Sequence, residues 1–204
     1  MPHEKKTAGV ILAAGMSQRF GQPKQLLKLK NKYLLGWVLD AALASRLDMV
    51  VLVVGHEHQN ILKALGSETN RPRLRIVVNH RYQEGQSKSL QAGLSEIQRQ
   101  FSSVMFLLGD QPMLKSATID CMLDIFWQSE KDICVPIWKE KRGNPTIFSR
   151  AMYCNLMAVE GDIGARGVIR ANPERVLSIN VDDPLCFIDI DSQQDLENLQ
   201  ALLL

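Results

Sequence analysis

Gly9-Val10-Ile11-Leu12-Ala13-Ala14-Gly15-Met16-Ser17-Gln18-Arg19-Phe20-Gly21-Gln22-Pro23-Lys24 contains the chain's first apolar run and the loop that leaves it. The run has strand character, and the turn after it is built from small residues. Ala13, Ala14 and Gly15 leave the backbone bare, so its N–H groups can approach an anion closely. Ser17 adds a neutral donor, Arg19 a fork for two phosphate oxygens, and Lys24 a mobile point charge. The spacing is not that of a P-loop, and no G-x-G-x-x-G is present. The plain alternative is a tight strand-to-helix turn followed by solvated charges.

Outward from this stretch, apolar runs alternate with helical periodicities. The spacing of Leu34, Leu35, Val38, Leu39, Ala42 and Leu43 predicts an amphipathic helix over 34–45. A strand covered on both faces is expected over 49–54, another buried strand over 103–108 and further strands over 74–78 and 133–138, with helices over 59–65, from about Ser87, and over 119–127. This alternation specifies an α/β domain with a mostly parallel central sheet flanked by helices. Ligands of such sheets sit outside the carboxyl ends of the strands, where Ala13 to Ser17, Gly55, Asn79 and Asp110 fall. In the second half, Lys139 to Pro145 reads as a hairpin or long loop laid over the site, and Glu160 to Arg166 as a glycine-spaced loop opening a short helix. A strand is expected over 176–181. Residues 187–191 alternate apolar and acidic side chains like a strand, and a terminal amphipathic helix covers 194–203.

With 204 residues, the chain is sized for one domain. A formal net charge of +2 argues against a broad electrostatic footprint for duplex nucleic acid. Cys121, Cys134, Cys154 and Cys186 form no C-x-x-C pair, and His3, His56, His58 and His80 make no metal-ligand set. The short charged start carries no apolar signal region, and no apolar run approaches the length of a membrane span, so a cytoplasmic protein without membrane partners is expected.

Among the carboxylates, Asp110 ends a buried strand and is followed by Gln111-Pro112. It suits a divalent cation held against a polyphosphate, or else a turn or helix cap. Asp189 and Asp191, two apart on the expected strand, share a face, and like charges there call for a cation between them. Asp191 is the favoured ligand, with Asp189 the alternative or one of the pair capping the next helix. Ser87 and Ser89 stand at a helix start, where they contact a base edge or phosphate or merely cap the helix. Asp162 and Arg166 are spaced for an i,i+4 ion pair, unless the loop covers an acceptor site and Arg166 meets an anionic substrate. No serine elbow or Cys–His pairing suggests covalent catalysis. A cationic loop with metal-binding carboxylates points to group transfer at phosphorus.

With these residues in view, the chain resembles the nucleotidyltransferases of the molybdenum cofactor, in particular their cytidylyltransferase branch. The similar stretches are Leu12 to Gly21 with Lys24, Gly85 through Ser89 to Gly93, Gly109-Asp110-Gln111-Pro112, Gly143-Asn144-Pro145, Gly161-Asp162-Ile163-Gly164-Ala165-Arg166 and Asp189-Ile190-Asp191. The resemblance implies a Rossmann-like nucleotidyltransferase fold over 1–204, its N-terminal part binding nucleotide and its C-terminal part the acceptor. It also implies transfer of CMP from CTP to the phosphate of molybdopterin, with release of pyrophosphate and a molybdenum hydroxylase as recipient of the product. Arg19, Lys24 and Asp110 would be catalytic, and Asp110 and Asp191 would hold magnesium, or manganese in its place. Leu12, Ala13, Ala14, Gly15, Ser17, Asn79, Gly85, Ser87 and Ser89 would join Arg19 and Lys24 around the nucleotide. Arg142, Gly143, Asn144, Pro145, Asp162 and Arg166 would face the acceptor. Ala14, where the guanylyl branch has Gly, favours cytosine. Asn144 replaces a usual His, and Ser192-Gln193-Gln194 a usual Thr-Pro-Glu. Alternatives within the same chemistry are GTP as donor or a sugar or polyol phosphate as acceptor; a non-catalytic cofactor carrier is the alternative outside it.

Overall fold

Period-two burial organises the sheet. In β1 (Thr7–Ala13), Ala8 and Val10 enter one apolar cluster while Ile11 and Ala13 enter another, and the next strands repeat the division. The computed structural model describes residues 5–16, 20 and 22–203. After β1 come a small antiparallel pair, β2 (Lys28–Leu29) and β3 (Lys32–Tyr33), then α1 (Leu34–Ala44), β4 (Met49–Val54), α2 (His58–Leu65), β5 (Leu74–Val78) and α3 (Gln86–Ile97). The second half adds β6 (Ser103–Leu108), α4 (Ser116–Gln128), β7 (Ile133–Trp138), β8 (Lys141–Arg142), β9 (Thr146–Ser149), α5 (Tyr153–Met157), α6 (Arg166–Ala171), β10 (Val176–Asn180) and α7 (Gln193–Leu202).

The sheet order is β10-β7-β9-β6-β1-β4-β5, with β8 hydrogen-bonded to β7. β1, β4, β5 and β6 pair in parallel, as do β7 and β10, while β9 runs antiparallel to both of its neighbours. The expected single α/β domain with a mostly parallel sheet is therefore the fold observed. The chain leaves β1 towards β4 and β5, then returns to lay β6 on the other side of β1. The strand order thus reverses at β1, and a crevice opens at the carboxyl ends of β1 and β6.

One face of the sheet carries Ile11, Leu52 and Leu107 against Leu35, Leu39 and Ile119. The other carries Val10, Val53 and Phe106 against Leu90, Leu94 and Ile169. Gly93 lets α3 lie directly on Val10, which a β-carbon there would strike. A third cluster gathers Leu27, Leu29 and Leu34 with Ile190, Leu196 and Leu199. It joins the first loop to the end of the chain, a contact that no local sequence pattern announces. No described helix is long and apolar enough to cross a membrane.

Residues 187–191 depart from expectation. Pro184–Phe187 forms a single 3₁₀ turn, and Asp189 to Asp191 follow outside any strand. Alternation requires only two faces of different polarity. Here Ile190 is buried in the third cluster, and its N–H donates to the Asp110 carbonyl (3.1 Å) instead of to a sheet edge.

On the far side of the sheet, Asp132 stands one residue before β7. It accepts from Arg175 Nε (2.9 Å) and Nη2 (2.7 Å) and from the Ser149 hydroxyl, joining the start of β10 to the end of β9. Burial alone would raise its pKa, but the bonds from Ser149 and Arg175 outweigh it and hold the carboxyl below the usual 3.8. A depressed carboxylate stabilises the fold fully above its unfolded pKa, and that contribution is lost as pH falls through the lower folded value. Asp132→Asn is expected to cost about 1–3 kcal/mol at neutral pH. In urea titrations, the gap between the variant and the parent should close as the pH drops below about 4. An equal gap at pH 7 and pH 3 would contradict this account.

Candidate active site

The loop after β1 is fixed from below. The carbonyl of Ala13 accepts from the buried Gln25 side chain (2.9 Å), and that of Ala14 from the His56 N–H (3.3 Å). The Ala14 methyl is buried against Gly55, where a β-carbon would lie 2.8 Å from both it and the Tyr82 Cβ. Gly15, by contrast, borders open space. Ser17 and Arg19 lie outside the described residues.

Asp110 follows β6 at the same margin. The Lys24 ammonium donates to Asp110 Oδ2 and to Asp191 Oδ1 (3.0 Å), so residues far apart in sequence meet on one cation. Burial would lower the Lys24 pKa, but the charge of Asp110 and the bonds to both acids reverse this and raise it. Asp110 is the shielded partner, with its side chain 13% exposed against 57% for Asp191. Asp189 points elsewhere: its Oδ1 accepts from Gln111 Nε2 (2.7 Å). Crowding by protein atoms and then the charge of Asp110 push its carboxyl up to about 6, against the pull of the Gln111 bond. The residue as a whole is exposed, so solvent screening weakens this effect.

A divalent cation fits this group of residues. Asp110 Oδ1 is buried and has no hydrogen-bond partner among the described residues, and Asp191 meets the same Lys24 ammonium as the other Asp110 oxygen. Magnesium takes one or two carboxylates and completes its shell with phosphate oxygens and water. Among the described residues no set of three or more His, Cys, Asp or Glu side chains is arranged to hold a metal alone, so phosphates would have to share in holding it.

One cavity adjoins this centre, and a second shares lining residues with the first. The first, of about 380 Å³, is lined by Ala14, Gly15, Lys24, Gly85, Ser89 and Asp110, together with Leu12, Gln25, Tyr82, Gln86 and Asp162. Gly85 (φ +105°) brings the start of α3 against the backbone of Gly161. Asp162 Oδ1 accepts from the Gln86 N–H (3.0 Å). Asp162 was expected on the acceptor side, but the structure puts it on this cavity because it satisfies an N–H at the helix start. No Asp162–Arg166 ion pair forms among the described residues.

The two serines differ. Ser89 lines the cavity and accepts from the Asn79 side chain (3.0 Å), while Asn79 Oδ1 accepts from the Arg81 N–H (2.9 Å). Asn79 itself borders a separate open cleft with His58 and His80, so it positions Ser89 and does not line the 380 Å³ cavity. Ser87 is fully buried and lines neither cavity; its hydroxyl has no hydrogen-bond partner among the described residues. Neither serine caps the helix, since α3 begins at Gln86 with Gly85 before it.

The second cavity, of about 310 Å³, shares Leu12, Gln86 and Leu108 with the first. Arg142, Gly143, Asn144 and Arg166, expected on the acceptor side, line it together with Arg170; Pro145 does not. Arg142 arrives on a two-residue hairpin whose Lys139 and Glu140 both have positive φ, the backbone of a tight turn between twisted strands. Gly143 packs on the Phe187 ring, where no side chain would fit. Gln25, Tyr82, Gln86, Gln111 and Arg170 were not anticipated. Gln86 and Gln111 lie within stretches already singled out, and Arg170 lies one helical turn after Arg166, whereas Gln25 and Tyr82 had no such signal.

Comparison with known proteins is consistent with this geometry. The purine catabolism protein PucB of Bacillus subtilis (strain 168) is 29% identical over 168 residues, 80% of each chain. A probable molybdenum cofactor guanylyltransferase of Thermococcus sibiricus is 29% identical over 132 residues, 64% of this chain and 62% of that protein. The crystal structure of Rv0371c from Mycobacterium tuberculosis H37Rv superposes with a TM-score of 0.83 at 28% identity, covering 96% of this chain and 98% of that one. A manganese complex of Rv0371c aligns with a TM-score of 0.77 at 26% identity, over 96% of this chain and 98% of that one. Residues 9–176 match the MobA-like NTP transferase domain, and this chain belongs to that family.

Proposed function

We propose that this nucleotidyltransferase moves CMP from CTP to the terminal phosphate of molybdopterin and releases pyrophosphate. The observation that carries this reading is the Lys24 ammonium joining Asp110 to Asp191 on a cavity that shares Leu12, Gln86 and Leu108 with the arginine-lined one. An acceptor phosphate in the arginine-lined cavity can face the α-phosphorus of a nucleotide in the other. The new bond runs from an acceptor phosphate oxygen to the α-phosphorus. The bond from the α-phosphorus to the bridging oxygen breaks, and its electron pair leaves on pyrophosphate. A divalent cation on Asp110 and Asp191, magnesium or the manganese named for Rv0371c, would neutralise charge on the triphosphate when bound. Lys24 is within reach of the same phosphates, and the bare backbone at Gly15 supplies N–H donors. The product would serve a molybdenum hydroxylase.

The choice of cytosine rests on Ala14, which lines the Lys24 cavity and stands where the guanylyl branch has Gly. The relative named as a guanylyltransferase favours GTP as the second reading. Thermal unfolding with each nucleotide separates them. A ligand at 100 times its Kd adds about 2.7 kcal/mol, which for a chain of this length is roughly 5–10 °C. CTP with magnesium is expected to give that shift and GTP a smaller one. A larger shift with GTP would transfer the reading to guanylyl transfer.

A further inference from the structure

Beside the carboxylate centre lies a buried amide that packing does not explain. Gln111 is 2% exposed. Its Nε2 donates to Asp189 Oδ1 (2.7 Å), while its Oε1 is buried without a hydrogen-bond partner among the described residues. A buried acceptor left unmet costs stability, and a leucine of similar volume would avoid that cost. The backbone is fixed as well, since the Gln111 carbonyl accepts from the Leu114 N–H (3.2 Å). The amide is therefore held in place and aimed at one carboxylate. That carboxylate stands where it can crowd the cation site. The bond from the Ile190 N–H to the Asp110 carbonyl (3.1 Å) brings both neighbours of Ile190, Asp189 and Asp191, beside Asp110. The charges of Asp110, Asp191 and Lys24 all reach the Asp189 carboxyl. Asp191 turns to the Lys24 ammonium (3.0 Å) from a backbone whose N–H donates to Asp195 Oδ2 (3.1 Å). Asp189 is exposed, and among the described residues its side chain is restrained by Gln111 alone.

We propose that Gln111 is a positioning residue that holds Asp189 off the cation site, so that Asp110 and Asp191 alone bind the ion and a position stays open for the triphosphate. The proposal rests on the nucleotidyl-transfer reading and extends it by naming the group that decides between two candidate acids. Three carboxylates hold a divalent ion more tightly than two, but the third takes a position that a phosphate oxygen needs. A neutral amide suits the task. It donates to a carboxylate without bringing a positive charge that would repel the ion.

Manganese(II) titrated without nucleotide, followed by the EPR signal of the free ion, is the direct probe. Gln111→Leu should bind manganese about fivefold or more tightly than the parent, because Asp189 is released to join the site. In the same variant, KM should rise about tenfold for whichever of CTP and GTP gives the parent its larger thermal shift, with kcat less affected. Adding Asp189→Asn to Gln111→Leu should return both quantities to within about threefold of the parent, a rescue that a merely structural loss at Gln111 does not allow. Asp189→Asn alone should keep the parent's manganese affinity within about threefold, and this comparison stands even if Gln111→Leu fails to fold. Manganese affinity unchanged or weakened in Gln111→Leu would overturn the proposal. So would a tenfold loss in Asp189→Asn, which would make Asp189 a ligand in the parent. A parent that binds no manganese even with nucleotide present would overturn the cation reading and this proposal together. Manganese binding without pyrophosphate release would count against nucleotidyl transfer alone, while tighter binding in Gln111→Leu, reversed by Asp189→Asn, would still support the role of Gln111.

Discussion

Asp110→Asn is expected to lower kcat/KM for pyrophosphate release by about 10³-fold, equivalent to about 4 kcal/mol of transition-state stabilisation. The effect is large because Asp110 is the shielded acid of the pair. It takes the Lys24 ammonium on one oxygen and keeps the other buried and without a partner among the described residues. An amide of the same size keeps the shape but carries no charge to neutralise an ammonium and is a much weaker ligand for a divalent cation. The fold should survive, since the backbone bond from Ile190 to the Asp110 carbonyl is untouched and Asp191 still meets Lys24. Initial rates of pyrophosphate release, taken with a thermal midpoint for each protein, provide the check. Turnover at the parent's rate would remove Asp110 from the reaction centre.

Gly85→Ala should be the most damaging single methyl addition at the site. At φ +105° and ψ 172°, Gly85 occupies backbone space that residues with a β-carbon rarely enter. A β-carbon there would also lie 2.6 Å from the Gly161 carbonyl carbon and 2.9 Å from Asp162 Oδ1. The turn at 161–163 would have to lift off α3, breaking the bond from Gln86 N–H to Asp162. A loss of about 2–4 kcal/mol follows, roughly 5–15 °C in thermal midpoint, together with a reduced nucleotide-induced shift. Gly161→Ala is the informative control. Its φ is also positive, at +65°, but its β-carbon would meet nothing within 4 Å, so it carries backbone strain without collision. Calorimetry on both variants separates the two causes, and equal midpoints for the pair would refute the collision.

Much of the architecture was legible along the chain because burial on both faces leaves a local signature. The run from Met49 to Val54 and the spacing of Leu35, Val38 and Leu39 each identify an element without knowledge of its neighbours. Asp110 was legible for the same reason, as a carboxylate at the end of a buried strand. Other residues carried no local signal of their role. Gln25 earns its place only because the Ala13 carbonyl lies within its reach, and Gln111 only through Asp189. Ser87 and Asp162 show the converse, since their spacing suggested ligand contacts that packing redirected into the core and onto a helix start.

By itself the sequence determined the α/β alternation, the mostly parallel sheet and the collection of small and acidic residues at strand ends, since each follows from the pattern of a few neighbouring positions. Only the tertiary structure decided that Asp191 meets Lys24, that Asp189 turns to Gln111, and that three arginines share one cavity. Those pairings depend on the third apolar cluster, in which Ile190 and Leu196 bury against Leu27 and Leu29. Such burial is non-directional and acts between segments at opposite ends of the chain, so it leaves no spacing to read.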